Sequence, residues 1–238
     1  MIRVACALLL ACLPVMGHAA PCRQALALGL DVSGSVDARE YRLQMAGVAQ
    51  ALDDPAVRDK LLLQPDAPVS LLVFEWSGPQ DQAVVVPWTA IDGPAALEGV
   101  IATLRSTGRR DATPGTALGI AMQFGADQLA QQPHCWKHTL DISGDGKSNL
   151  GPRPRDIKEQ LKARDLTING LVIGVDNPRT GDIRQAEVGQ LSSYYRAEVM
   201  LGPDAFVHTA LGFTDYARAM TQKLLRELEV LIVSERVQ

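Results

Sequence analysis

Short, largely apolar runs alternate with segments of helical period along this chain, and that alternation leaves few architectures open. "ALALGL" (25–30), "VSLLVFEW" (69–76), "HTLDIS" (138–143), "TINGLVIGV" (167–175) and "AFVHTA" (205–210) have the length and composition of strands. "DAREYRLQMAGVAQAL" opens with Asp37 and Glu40 at capping-box spacing and puts Tyr41, Met45, Val48 and Leu52 on one helical face. Further helices are predicted over 95–105, 116–130, 155–164, around 183–195 and over 214–232, the last with Ala217, Met220, Leu224, Leu228 and Leu231 inward. "AVVVPW" (83–88) follows the second run across Gly78-Pro79 and reads as its hairpin partner, with Pro87 confining it to an edge or a strand end. Strands and helices in this order predict an α/β, Rossmann-like three-layer sandwich: a mostly parallel central sheet with one antiparallel edge strand. Ligands of such sheets bind beyond the carboxyl ends of the strands, where the strand order reverses.

The first twenty residues, "MIRVACALLLACLPVMGHAA", are read as standing apart from this pattern. One basic residue, Arg3, precedes an apolar run that ends in small residues, the signature of a signal peptide cleaved near Ala19/Ala20. Pro14 breaks the run, which is too short to span a bilayer, so stable membrane insertion is not expected. A lipoprotein signal ending at Cys12 would be only eleven residues long. Export to the periplasm or the medium is the expectation, with one domain over 22–235 and no repeat or linker. Of the four cysteines, Cys22 and Cys135 lie beyond the leader. The formal net charge of −4, without a long run of either sign, argues against nucleic acid as a partner.

The stretch "DISGDGKSNLG" (141–151) resembles the tail of a phosphate-binding loop, but that motif needs glycine at 141, where this chain has aspartate. A different chemistry is written in three places that follow strands or open helices: Asp31-Val32-Ser33-Gly34-Ser35, Thr116 and Asp145-Gly146. Alternate residues of an extended turn face one side, so Asp31, Ser33 and Ser35 can present their oxygens together. Two carboxylates and three hydroxyls make a hard, all-oxygen donor set suited to Mg²⁺ or Mn²⁺. Taken singly, each piece has an ordinary reading: Asp31 and the serines satisfying a turn, Thr116 capping a helix, Asp145-Gly146 turning the chain. Their joint occurrence is what those readings leave unexplained. Thr113-Pro114 competes with Thr116 for the threonine role. His134, Cys135 and His138 suggest zinc but lack a fourth ligand nearby. No G-x-S-x-G elbow occurs, and Asp176 is the one loop candidate for a general base. His208 reads as a structural strand residue, Trp76 and Trp88 as edge packing, and Tyr194 and Tyr195 as either core or rim.

Asp31-Val-Ser33-Gly-Ser35 resembles the D-x-S-x-S signature of von Willebrand factor type A domains, which carry a metal-ion-dependent adhesion site. The family's T-x-x-G-x-A-L segment is matched by Thr116-Ala-Leu-Gly119-Ile-Ala121-Met122, with Met in place of Leu, and this register favours Thr116 over Thr113. The family's T-D-G turn is matched by Gly144-Asp145-Gly146, where the threonine is missing. The resemblance spans roughly 25–230. "GTALG", "DISGDG" and "GPDAFV" (202–207) also resemble a bacterial family of exported proteins with this domain and no established activity. What the resemblance implies is a metal site of Asp31, Ser33, Ser35, Thr116 and Asp145, holding Mg²⁺ or Mn²⁺, whose shell is completed by an acidic residue of a partner protein. A metal-assisted phosphoesterase using the same oxygens and a purely structural metal site are the alternatives. The resemblance also implies that the first and fourth strands are neighbours. Cys22 lies nine residues before Asp31 and Cys135 ten before Asp145, so a Cys22–Cys135 disulfide is expected at the far end of those strands.

Overall fold

The computed structural model describes residues 21–174 and 181–229. Six strands make one sheet: β1 (Gln24–Asp31), β2 (Val69–Trp76), β3 (Ala83–Ala90), β4 (His138–Gly144), β5 (Thr167–Ile173) and β6 (Val207–Ala210). Their spatial order is β3-β2-β1-β4-β5-β6, parallel throughout except for β3, which runs antiparallel to β2 at one edge. Pro87 sits on that edge strand, where its missing N–H interrupts no central ladder. The chain builds outward from β1 to β3 on one side and from β4 to β6 on the other, so strand order reverses between β1 and β4.

Helices cover both faces. Against one pack α1 (Ala38–Asp53), α2 (Pro55–Leu62), α3 (Pro94–Ser106) and α7 (Tyr216–Glu227), around Leu26, Leu28 and Leu30 of β1. Against the other pack α4 (Leu118–Leu129), α5 (Pro154–Leu161) and α6 (Gly181–Glu198), around Ala25 and Ala27. On this second face β1 carries small residues; a Cβ on Gly29 would stand 2.6 Å from the ring of Phe74 on neighbouring β2. The capping box of α1 is present, with Asp37 Oδ1 accepting from Arg39 N and Glu40 N, and Glu40 Oε2 accepting from Asp37 N. Helix α2 is an element that the sequence pattern did not assign; Asp54 caps it through Ala56 N and Pro55 starts it.

Two findings depart from the sequence reading. Trp76 is fully buried at the end of β2 rather than packed at an edge. The inward face of α7 includes Lys223 and Glu227 beside Met220 and Leu224, while Leu231 lies outside the described residues. Lys223 Nζ sits 2.7 Å from Asp141 of β4 and 2.5 Å from Glu227, and Asn169 of β5 donates to Glu227 Oε1 at 2.6 Å. Asp141, Lys223 and Glu227 are thus a buried charge cluster riveting α7 to the sheet. Burial pushes the Asp141 carboxyl up to about 7, against the pull of Lys223.

Cys22 and Cys135 form a disulfide that closes a separation of 113 residues and ties the segment before β1 to the segment before β4. Reducing it is expected to lower unfolding free energy by about 2–5 kcal/mol, read as a shifted midpoint in urea with and without reductant. Lys223→Met, which strands two carboxylates in the core, is expected to cost about 3–5 kcal/mol in the same assay.

Candidate metal centre

Three loops meet above the reversal of strand order. The first, 31–36, leaves β1; the second, 113–117, leads into α4; the third, 144–150, leaves β4. Each pair is joined directly. Gly34 N donates to Pro114 O at 2.9 Å, linking the first to the second. Ser35 Oγ donates to Asp145 Oδ1 at 2.7 Å, linking the first to the third. Thr116 N donates to Asn149 Oδ1 at 2.8 Å, and Thr116 O accepts from Asn149 N at 3.0 Å, linking the second to the third. The end of β2 braces the group, since Val32 N donates to Trp76 O and Ala117 N to Ser77 O.

The candidate ligands grade from core to surface. Asp31, Ser33 and Thr116 are buried, Asp145 is half-buried and Ser35 is exposed. Asp31 Oδ1 accepts from Ser33 N at 2.8 Å, an Asx turn that orients the loop, and Ser33 Oγ lies 3.2 Å from Ser35 Oγ. Asp31, Ser33, Ser35 and Asp145 therefore form one connected cluster. Thr116 reaches it through the backbone bonds of the second loop. Ala117, not Thr116, holds the N-cap position of α4, and no side chain caps that helix. The helix-capping reading of Thr116 is thereby removed. Thr113 is exposed and its N–H is engaged by Asp81 Oδ2 at 3.0 Å.

The electrostatics of the cluster call for a cation. Asp31 Oδ2 is buried and has no hydrogen-bond partner. Burial, reinforced by the neighbouring Asp145 charge, pushes the Asp31 carboxyl up to about 7. Burial raises Asp145 as well, partly offset by the Ser35 hydrogen bond. An orphaned carboxylate oxygen among hydroxyls, with no amine or guanidinium among the described residues paired to it, fits a hard divalent cation. Asp31, Ser33, Ser35 and Asp145, joined in one cluster, could hold one, and Thr116 is tied by its backbone to Asn149 of the third loop.

Several contributors carried no signal in the sequence. The Arg109 guanidinium donates to the carbonyls of Val36, Val32 and Ser33, fastening the first loop from outside. Arg110 Nε pairs with the buried Glu75 at 3.0 Å, and Glu75 also accepts from Tyr41. Such contacts to backbone carbonyls and across strands have no fixed spacing to read. Of the undecided aromatics, Tyr195 is fully buried, whereas Tyr194 is only partly buried, its hydroxyl 3.3 Å from Ser148 N and Lys147 over its ring. Cys22, His134 and Cys135 bring potential ligand atoms together, but the two sulfurs are spent in the disulfide, which leaves no zinc site there. His138 is instead bonded to Gln132 O at 2.9 Å. Asp176 lies outside the described residues.

The comparisons with known proteins agree with this architecture. The family model described as "Protein of unknown function (DUF1194)" matches residues 21–232, and the chain belongs to that family. No curated protein sequence matches it. Proximal thread matrix protein 1 from the mussel byssus, in a structure with a zinc-occupied MIDAS motif, superposes with a TM-score of 0.60 at 17% identity, over 87% of this chain and 48% of that one. The pilus adhesin SpaC from Lactobacillus rhamnosus GG gives 0.59 at 12% identity, over 87% and 30%. A von Willebrand factor type A protein from Catenulispora acidiphila gives 0.57 at 16% identity, over 87% and 43%. The chain thus spans less than half the length of each of these three, and the fold it shares with them is the von Willebrand factor type A fold.

A titration follows from the buried carboxyls. Asp31 holds its proton to about pH 7 when folded, whereas an unfolded aspartate releases it near 3.9. Between those values the folded state binds the extra proton, so its stability falls as pH rises from about 4 to 7. In chelator, urea midpoints are expected to drop from pH 5 to pH 8. Asp31→Asn is expected to flatten part of that drop and leave the share contributed by Asp141.

Proposed function

We propose that this member of the DUF1194 family is an exported protein-binding module of adhesion or scaffold type, dependent on a divalent cation held by Asp31, Ser33, Ser35, Thr116 and Asp145. The observation that carries the reading is the buried, unpartnered Asp31 Oδ2 at the meeting point of three mutually bonded loops. When bound, the cation supplies a positive charge that a carboxylate of the partner can ligate, joining two acidic surfaces. The chain's own residues prepare that contact. The Asx turn at Ser33 and the clamp of Arg109 hold the first loop, and Ser35 and Asp145 reach the exposed side of the cluster.

Specificity belongs to the surrounding loops: 77–81, 109–115, 147–153 and 176–183, most of the last lying outside the described residues. Mg²⁺ or Mn²⁺ suits the all-oxygen set best, and Zn²⁺, which the byssal protein holds in its motif, is the ion to compare against them. The Cys22–Cys135 disulfide supports export, since such bonds persist in oxidising compartments. The predicted leader lies outside the described residues, and no helix among those described is long and apolar enough to cross a membrane. A pilus adhesin and a byssal matrix protein among the similar folds favour binding over catalysis.

At about one hundred times its dissociation constant, Mg²⁺ is expected to raise unfolding free energy by about 2.7 kcal/mol, and Asp31→Ala to abolish the gain. Retention of a partner from the exported fraction is expected to need both Mg²⁺ and Asp31. Stabilisation by Mg²⁺ with retention indifferent to chelator would leave a structural ion and overturn the bridging role.

A further inference from the structure

Gly144 and Gly170 stand on neighbouring strands, on the same face of the sheet, and together they open a slot. In the β4–β5 register Ile142 pairs with Gly170 and Gly144 with Val172. Neither glycine has left-handed backbone, so it is space, not conformation, that excludes a side chain. A Cβ on Gly170 would lie 2.8 Å from Tyr195 Cδ1, and one on Gly144 would overlap the Tyr195 hydroxyl. The Tyr195 ring, carried in from α6 and fully buried, fills that slot.

The slot ends at the candidate metal centre. The same point above Gly144 is 3.0 Å from Asp31 Oδ2 and 3.4 Å from Cζ2 of Trp76. Tyr195 OH and Asp31 Oδ2 are both buried, and neither has a hydrogen-bond partner. One is a donor and the other an acceptor, and a buried polar atom left unsatisfied costs about 1–3 kcal/mol. A phenylalanine would fill the same slot without that cost. A hydroxyl placed there has a use only if something at the end of the slot accepts from it.

We propose that Tyr195 is a positioning residue of the metal centre: its hydroxyl, not bonded to Asp31 in this structure, donates to the Asp31 carboxylate when the cation is bound and fixes its orientation toward the ion. This rests on the reading that Asp31 holds a divalent ion. It also accounts for the departure from the T-D-G turn: the volume that a threonine side chain at 144 would take is already occupied by the hydroxyl of Tyr195. A hydroxyl from another element thus stands where the local motif would have supplied one. Outer hydrogen-bond partners of metal ligands tune affinity because they set the ligand's direction and basicity.

The test uses Mn²⁺ as the probe, with free ion followed by electron paramagnetic resonance on the full exported chain. Tyr195→Phe is expected to stay folded, by thermal melting in chelator, and to bind Mn²⁺ about 10–100-fold more weakly. In the wild type, Mn²⁺ is expected to perturb the near-ultraviolet absorption of tyrosine, and this difference band is expected to vanish in Tyr195→Phe. Asp31→Ala separates the two readings. If Asp31→Ala abolishes binding while Tyr195→Phe binds as tightly as wild type, the role of Tyr195 is overturned and the metal site stands. A wild type that binds Mn²⁺ with no tyrosine difference band overturns that role as well. If the wild type binds no Mn²⁺, or Asp31→Ala binds as the wild type does, both readings fall.

Discussion

Backbone hydrogen bonds from Ala25–His138 to Leu30–Ser143 hold β1 and β4 side by side and parallel, although the paired residues are more than a hundred positions apart. Because the strands are parallel, their carboxyl ends emerge together, and so do their amino ends. Asp31 and Asp145 are therefore delivered to one edge of the sheet, where Ser35 bonds across to Asp145. Cys22 and Cys135 are delivered to the opposite edge, where they are joined. The site and the staple are two consequences of one pairing. It lies where strand order reverses, the place at which an open α/β sheet leaves a crevice.

The charges on the two faces of the sheet are handled in opposite ways. Beneath α7, the carboxylates of Asp141 and Glu227 are answered by Lys223, and Asn169 bonds Glu227 in turn. There Lys223 supplies a counter-charge from the chain itself, and although Asp141 Oδ1 and Glu227 Oε2 accept no hydrogen bond among the described residues, the ion pairs rivet α7 to the sheet. At the carboxyl edge, Asp31 is buried and its Oδ2 is paired with no cation among the described residues. A buried charge without a partner is costly, and its raised pKa records that cost. The same physics that makes Asp141 structural makes Asp31 a candidate for function. What differs is whether the chain supplies the counter-charge.

Much of the fold was legible because the core is built from periodic apolar runs. The boundaries of β2 agree with the reading to the residue, the capping box of α1 formed as written, and Pro87 fell on the edge strand. The failures share a cause. The helical period names Met220, Leu224 and Leu228 as inward but not Lys223 or Glu227, and Asp141 reads as nothing more than the residue that spoils a phosphate loop. All three are buried because they meet one another across elements. Trp76, near the end of a hairpin strand, reads as edge packing, yet that strand lies inside the sheet and the ring is buried. Periodicity reports how a residue faces relative to its own element. It is silent on what stands opposite.

By itself the sequence determined the residue types at Asp31, Ser33, Ser35, Thr116 and Asp145, their order, and their places after strands or ahead of a helix. It did so because turn loops at strand ends keep a local spacing that a motif can record. Only the tertiary structure decided that the three loops bond to one another in every pair, that Thr116 rather than Thr113 is buried at their meeting point, and that Asp31 Oδ2 is left without a partner. It alone decided that Tyr195 is core and that its hydroxyl and that oxygen both lie against Gly144, in a slot cut by glycines of two strands. Those outcomes depend on distances between segments far apart in the chain, which strand pairing and helix packing set and which no local spacing encodes.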